Sequence, residues 1–256
     1  MANIIIFIMS CKKNKSKVES LKSLWLNACG FKYVIVMADP NLKSPFQHDI
    51  YTNELIVKCP DNYDSLSLKV LLGIKAIDNI FKPKGIFKID DDVLIRIQQL
   101  RNFVKIALRE SIDYAGKVTF DINQWSLYHQ GRCVAEKLNN EPQFIPNVPY
   151  ARGPIYYLSK KSIKVIIKTM QAKDHLYEDV LIGLTLDKKK IYPANFPFMT
   201  DILKEYLEDP ETIALHDYGY NYDYQKIQEY YNINQMKQSL LWLYILIIVC
   251  IIFFII

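Results

Sequence analysis

Short apolar, largely β-branched runs alternate along the chain with longer stretches in which apolar residues recur every three or four positions. The runs predict buried strands, and the helical recurrence predicts amphipathic helices between them. The predicted strands are 4–8, 33–37, 55–58, the run around 86–97, 114–120, one near Tyr128 and 155–158. The predicted helices are 18–28, one capped by Asp64 or Ser65 and ending near residue 80, 100–109, one capped by Ser159 and one beginning near Glu178. This alternation predicts an α/β fold, a three-layer sandwich with a mainly parallel sheet.

The end of the chain has a different pattern, because residues 240–256 are uncharged and almost wholly apolar. A helix of this length would reach about 26 Å at about 1.5 Å per residue, close to the hydrocarbon thickness of a bilayer. Trp242 and Tyr244 lie near its start, where aromatic belts occur, and Lys237 precedes them. A buried core helix is the alternative, but it should show a polar face. We expect a folded domain over 1–216, a tyrosine-rich covering or juxtamembrane segment over 217–239, and a single-pass transmembrane anchor over 240–256, with the folded domain on the cytosolic side.

Composition narrows the class of protein further. With 256 residues, half of them apolar, the chain can bury a full core. The net charge of +5 comes mainly from lysines at predicted helix ends and loops. Nucleic-acid readers rely more on arginine for bidentate contacts, so we expect no nucleic-acid partner. The five cysteines form no CxxC pair, and no disulfide or metal framework is readable from them.

Three consecutive carboxylates, Asp90, Asp91 and Asp92, interrupt the apolar run around 86–97. Adjacent like charges repel one another, and a bound cation would relieve that repulsion. Carboxylates suit Mg²⁺ or Mn²⁺, which proteins commonly hold with one or two acids plus the phosphates of a substrate. Ligands of α/β sheets bind beyond the carboxyl ends of the strands. The triplet therefore indicates a metal and a nucleotide, whereas a solvated acidic turn is disfavoured by the apolar flanks.

Four blocks of sequence, in this order, resemble glycosyltransferase family 31, the β-1,3-galactosyltransferase and Fringe-like group. Residues 61–69 are similar to the family pattern D-x-Y-x-N-L-T-x-K, 87–93 to K-x-D-D-D-V, 150–159 to Y-x-x-G-x-G-Y-V-L-S, and 178–183 to E-D-V-x-x-G. The resemblance implies a GT-A fold and a metal-dependent, inverting transfer. The sugar would pass from a UDP-sugar to a hydroxyl of a glycan or glycoprotein acceptor, in β-1,3 linkage.

The resemblance also implies a role for particular side chains. Asp92 and His216 would ligate Mn²⁺ or Mg²⁺, which would neutralise the leaving diphosphate. The residues implied to bind the UDP-sugar are Asp90, Asp91, Lys22, Lys69 and Gly153, with Asp90 directed toward uridine. Inversion needs one base to take the proton of the acceptor, and the implied base is Asp179. An acid at a helix start is also favoured by the helix dipole alone, which is the alternative for Asp179.

Two positions depart from the family pattern. Lys22 stands in a segment where the family has arginines near the diphosphate, so its contact with phosphate would be less bidentate. Ile155 stands where a second glycine is frequent, and we expect it to add bulk where the substrate approaches the backbone.

Two other functions compete with the transferase. A phosphatase of the haloacid dehalogenase type also begins with an apolar strand ending in D-x-D. Such a phosphatase also needs a second acidic pair, spaced like G-D-x-x-x-D. In this chain Gly183, and not an aspartate, occupies the fourth position after Asp179. A non-catalytic, membrane-tethered sugar-binding protein is the second alternative. The joint presence of Asp92, Asp179 and His216 disfavours it, because binding alone needs no base.

Overall fold

The computed structural model describes residues 3–120, 123–126, 131–173, 175, 177–195 and 199–216. They belong to one compact unit, Met1–His216. The predicted segments 217–239 and 240–256 lie outside the described residues, as does Tyr128, the centre of one predicted strand. Within the described ranges, no helix has both the length and the apolar character needed to cross a membrane.

Strands and helices alternate as the apolar pattern predicts. The strands are β1 Ile4–Met9, β2 Lys32–Ala38, β3 Phe46–Asp49, β4 Glu54–Val57, β5 Gly85–Asp90, β6 Val93–Ile95, β7 Tyr114–Thr119, β8 Gln124–Ser126, β9 Gln143–Ile145, β10 Tyr150–Ser159, β11 Ala194–Asn195, β12 Met199–Thr200 and β13 Ala214–His216. The helices are α1 Lys15–Leu21, α2 Leu66–Phe81, α3 Ile97–Arg109, α4 Glu136–Asn140, α5 Lys160–Thr169, α6 Glu178–Asp187 and α7 Leu203–Glu208. A π-helical turn, Lys22–Leu26, continues α1.

The central sheet is mixed, which corrects the prediction of a mainly parallel one. Among the described residues it has eight strands in the order β11-β7-β10-β5-β1-β2-β4-β3. The pairs β1–β2, β1–β5, β2–β4 and β7–β11 are parallel, whereas β3–β4, β5–β10 and β7–β10 are antiparallel. A buried strand is apolar on both faces whichever way it runs, so the pattern of β10 carries no sign of its direction.

Helices cover both faces of this sheet, so the predicted three-layer α/β arrangement is confirmed. On one face, α2, α5 and α6 bury the main core against the inner strands. On the other face, the ring of Phe103 in α3 packs edge-on against Phe87 of β5 and Tyr157 of β10, with centroid separations of 5.5 and 5.6 Å. Every residue of β1 is buried. The inner strands are therefore held from both sides, and their ends are rigid supports for a site.

Local predictions have mixed outcomes. Ser159 caps α5 as predicted, because its Oγ accepts hydrogen bonds from the N–H groups of Lys161 and Ser162. The segment 139–149, in which the sequence pattern predicts neither a strand nor a helix, contains β9, which pairs with β8 in an antiparallel ladder. The partner strand is distant in sequence, so the pairing leaves no local signal.

Two features of the topology bring distant residues to the acidic triplet. Because β1 and β5 are parallel and in register at Met9 and Asp90, the loop after β1 meets the triplet at the end of β5. A second, smaller sheet of β12, β13 and β6 then places His216 opposite Val93, next to Asp92.

Candidate active site

The middle acid of the triplet faces the protein interior. Asp91 is buried, and its carboxylate accepts hydrogen bonds from Ser10 Oγ at 2.6 Å and from Asn14 Nδ2 at 3.0 Å. Burial raises the pKa of Asp91, and these two hydrogen bonds oppose that rise. Asp91 thus fixes the loop after β1 against the end of β5.

The last acid of the triplet faces a histidine and a lysine. Asp92 Oδ1 lies 3.7 Å from His216 Nε2, and Asp92 Oδ2 lies 3.6 Å from Lys17 Nζ. The two residues implied to be metal ligands are therefore neighbours. Lys17, rather than the predicted Lys22, is the lysine beside Asp92.

A chain of polar contacts holds the other side of the histidine ring. His216 Nδ1 lies 3.0 Å from Asp201 Oδ1, and Asp201 Oδ2 accepts a hydrogen bond from an Arg152 guanidinium nitrogen at 3.0 Å. Burial would raise the pKa of Asp201, but the hydrogen bond with His216 and the charge of Arg152 outweigh it and lower the pKa to about 2. Asp201 is an anion that orients the ring, so that Nε2 faces Asp92.

A fully buried lysine connects the first acid of the triplet to β10. The side chain of Lys88 is 1% exposed, and its Nζ donates to Asp90 Oδ1 at 2.6 Å and to the carbonyl of Gly153 at 2.7 Å. Glu178 Oε2 lies 3.6 Å away. Burial alone would lower the pKa of Lys88, but Asp90 and Glu178 raise it, so the lysine stays charged.

The implied base is bound to the same peptide segment. Asp179, at the start of α6, accepts hydrogen bonds from the N–H of Gly153 at 2.9 Å and from the N–H of Val180 at 2.9 Å. Burial raises the pKa of Asp179, and these backbone donors together with Lys88 oppose the rise. A Cβ added to Gly153 would lie 3.3 Å from Asp179 Oδ2. The absence of a side chain at position 153 is what lets β10 approach this carboxylate closely.

The acid next to the implied base, Glu178, is buried. Glu178 accepts a hydrogen bond from the Tyr156 hydroxyl, and burial raises the pKa of Glu178 to about 7. Glu178, Asp179, Asp90 and Lys88 therefore form one charged cluster around a single buried cation.

The structure does not gather every predicted residue at the triplet. Lys69 is buried, and its Nζ donates to the carbonyl of Ser10 at 3.0 Å and to Asp61 at 2.7 Å. These two hydrogen bonds hold the loop after β1 in place. Lys22 Nζ lies 2.8 Å from Glu19 on its own helix. Ile155 is fully buried and pairs with Ile89, so its bulk lies in the core and the expectation that it crowds the substrate is wrong.

Sequence reasoning missed three side chains of this site: Lys17, Lys88 and Asp201. Lys88 had a usable signal, because a lysine inside an apolar strand needs a buried anion. Asp201 reaches the site through the pairing of β13 with β6, and Lys17 reaches it through the loop after β1. Neither is visible as a local sequence signal.

Comparison with known proteins identifies the family. Residues 44–197, more than half of the chain, match the family model described as Galactosyltransferase. The chain belongs to the galactosyltransferase family. All four sequence blocks fall inside the matched range, whereas His216 lies beyond it. This galactosyltransferase-family chain is a glycosyltransferase, and the phosphatase alternative is set aside.

One curated relative extends the match over most of the chain. The galactosyltransferase-family chain is 25% identical over 244 residues to beta-1,3-galactosyltransferase bre-5 of Caenorhabditis elegans, covering 88% of this chain and 74% of that protein.

Two solved structures are similar at lower identity. The first is a glycosyltransferase involved in the glycosylation of the major capsid of PBCV-1, with 12% identity, a TM-score of 0.43 and coverage of 90% of this chain and 98% of that chain. The second is CMP:2-keto-3-deoxy-manno-octonic acid synthetase complexed with CTP, with 9% identity, a TM-score of 0.43 and coverage of 76% and 89%.

Proposed function

We propose that this glycosyltransferase moves a sugar from a UDP-sugar to a hydroxyl of a glycan or glycoprotein acceptor, with inversion, a β-1,3 linkage and a divalent cation. One observation carries the proposal. Adjacent residues of β10 connect the two halves of the site, since Arg152 binds the Asp201–His216 pair and Gly153 binds Asp179. In this proposal, the residues that would hold the cation and the residue that would act as the base are kept at a fixed separation by β10, as a single displacement requires.

The donor set fits Mn²⁺ or Mg²⁺. Asp92 offers a carboxylate, and His216 offers a ring nitrogen whose partner nitrogen is already held by Asp201. Across the described ranges, no group of three or more His, Cys, Asp or Glu side chains is arranged to hold a metal. Two protein ligands are enough for an ion whose other coordination positions would be filled by the diphosphate and by water. When bound, the cation would neutralise charge on the leaving diphosphate.

In this proposal Asp179 takes the proton of the acceptor hydroxyl. The hydroxyl oxygen bonds to the anomeric carbon, the bond from that carbon to the diphosphate oxygen breaks, and its electron pair leaves with UDP. The raised pKa of Asp179 favours proton uptake, because a base works best when its pKa approaches the working pH. Each carboxylate oxygen can still accept a further hydrogen bond besides the one from the backbone.

The proposal includes the substrate contacts implied by the resemblance. Asp90 at the end of β5 would contact the nucleoside, and Lys17 beside Asp92 would contact phosphate in place of Lys22, which is paired with Glu19. The membrane anchor over 240–256 and the cytosolic orientation of the folded domain remain proposals that concern residues outside the described ranges.

A UDP-release assay across a panel of UDP-sugars, with Mn²⁺ or with EDTA, tests the reaction. We expect release only with metal, loss of release in Asp92→Asn, and a fall of about 10² or more in transfer for Asp179→Asn with UDP affinity retained. Asp187→Asn, at the other end of α6, is the matched control and should behave as wild type. Equal UDP affinity with and without metal would remove the cation from the proposal, and near wild-type transfer by Asp179→Asn would place the base elsewhere.

A further inference from the structure

An exposed pair of aromatic rings lies on the small β8–β9 sheet. Trp125 and Phe144 are directly opposite each other in the ladder, and their ring centroids are 5.5 Å apart. The side chains are 68% and 42% exposed. Two large rings displayed together in solvent are uncommon in a soluble domain and typically indicate a binding surface.

The fold itself forces these rings outward. On the other face of the same two strands, Ile145 is buried in a cluster with Tyr150, Tyr177 and Val180. Successive side chains of a strand point to opposite faces, so burying Ile145 directs Phe144 to solvent, and the ladder directs Trp125 with it.

Two hydrogen bonds fix this sheet to the segment that leads into the implied base. The Tyr177 hydroxyl donates to the carbonyl of Ser126 at 3.0 Å, and His175 Nε2 lies 3.1 Å from the carbonyl of Phe144. The N–H of Tyr177 donates to His175 Nδ1 at 3.0 Å. With Nδ1 accepting, Nε2 carries the hydrogen, so a single neutral ring makes both bonds. Burial, which lowers the pKa of His175, favours that neutral form.

We propose that Trp125 and Phe144 form a stacking platform for a sugar ring of the acceptor saccharide. The platform would give the proposed transferase a binding surface for its acceptor, and this inference rests on the proposed function. A pyranose presents a face of C–H groups, which carry partial positive charge and are attracted to the negative face of an aromatic ring. Tyr177 directly precedes Glu178 and Asp179, so the platform is fixed to the helix start that carries the base for the acceptor.

The chemistry of the two strands favours a neutral, hydroxylated ligand. Besides the two rings and Ile145, β8 and β9 contain only Gln124, Ser126 and Gln143. A membrane-binding surface usually adds cationic side chains to its apolar ones, and these strands have none. The nucleotide of the donor would lie at the end of β5, on the side of Asp92 and His216. The acceptor is therefore the occupant to which the proposal commits.

A printed glycan array and a tryptophan fluorescence titration test the platform directly. We expect the wild-type chain to bind a subset of saccharides, and Trp125→Ala and Phe144→Ala to lose that binding. The apparent KM for an array-positive saccharide in the transfer assay should rise about tenfold or more in either variant. Tyr51→Ala, which removes a 91% exposed aromatic side chain between β3 and β4, is the matched control and should bind as wild type.

Separate measurements distinguish failure of the platform from failure of the proposed function. UDP binding by calorimetry shows that each variant is folded. Release of UDP without acceptor, in which water takes the place of the acceptor hydroxyl, tests the donor side of the proposed function alone. The platform is wrong if Trp125→Ala binds the array as wild type does, or if wild type binds no saccharide at all. It is also wrong if the variants lose binding to anionic lipid vesicles instead, since that outcome would make the rings a membrane contact.

Discussion

The N–H of Gly153 donates to Asp179 Oδ2 at 2.9 Å, while the carbonyl of the same residue accepts a hydrogen bond from Lys88 at 2.7 Å. One residue thus connects the implied base to the buried cation that also holds Asp90. The position of the base depends on how closely β10 approaches α6.

Gly153→Ala tests that approach. The added Cβ would lie 3.3 Å from Asp179 Oδ2, so the carboxylate or β10 must shift by a few tenths of an ångström. We expect the rate of transfer at saturating UDP-sugar to fall about tenfold, because small displacements of reacting groups are costly. Unchanged transfer would mean that the position of Asp179 does not limit the reaction.

Lys88→Met removes the cation from the buried cluster. The buried Glu178 and the partly exposed Asp90 would then lack the cation that compensates them, so we expect the free energy of unfolding to fall by about 3–5 kcal/mol in urea denaturation. Adding Glu178→Gln should recover part of this loss, because the two residues interact. Lys137→Met breaks the exposed pair with Glu141 and should cost no more than about 1 kcal/mol. Equal costs for the two lysine variants would contradict the buried-cluster account.

The pKa of Glu178 predicts a pH dependence of stability. Its pKa is about 7 in the folded state against a reference of 4.5, so between these values the folded state binds a proton that the unfolded state has released. Stability from this group is therefore present below about pH 4.5 and is lost as pH rises through about 7, by about 3 kcal/mol in total. Between about pH 4.5 and pH 7, the free energy of unfolding of wild type should fall relative to that of Glu178→Gln, because glutamine cannot ionise. Parallel stability curves for the two proteins would rule out the raised pKa.

Asp201→Asn tests the orientation of His216. The substitution keeps the size of the side chain but removes the charge that holds Nδ1, so we expect Mn²⁺ affinity in the presence of UDP to fall about 10- to 100-fold. Electron paramagnetic resonance of free and bound Mn²⁺ measures this without reference to activity. The matched control is Asp209→Asn, whose carboxylate accepts hydrogen bonds from Glu211 and Thr212 instead. Identical Mn²⁺ affinity in both variants would show that Asp201 has no part in metal binding.

Most of the strands of the central sheet and some of the site residues could be predicted from the sequence. The buried runs of β1, β2 and β5 are largely apolar, and Ser159 carries a local capping signal, so these strands and this cap were predictable. The direction of β10 and the existence of β9 depend on partners far away in the chain. Resemblance to a family directed attention to His216, but only the pairing of β13 with β6 explains why His216 lies beside Asp92.

The pairing of β13 with β6 also sets the order in which this enzyme becomes functional during its synthesis. The acidic triplet leaves the ribosome early, whereas His216 is the last residue of the compact unit Met1–His216. Contacts between such distant segments form late, because the loop between them must close first. A nascent chain that stops short of β13 would have its main sheet, its triplet and the implied base, but only one of the two side chains proposed to ligate the cation. Under the proposed function, such an unfinished chain would bind a nucleotide sugar more weakly than the complete domain.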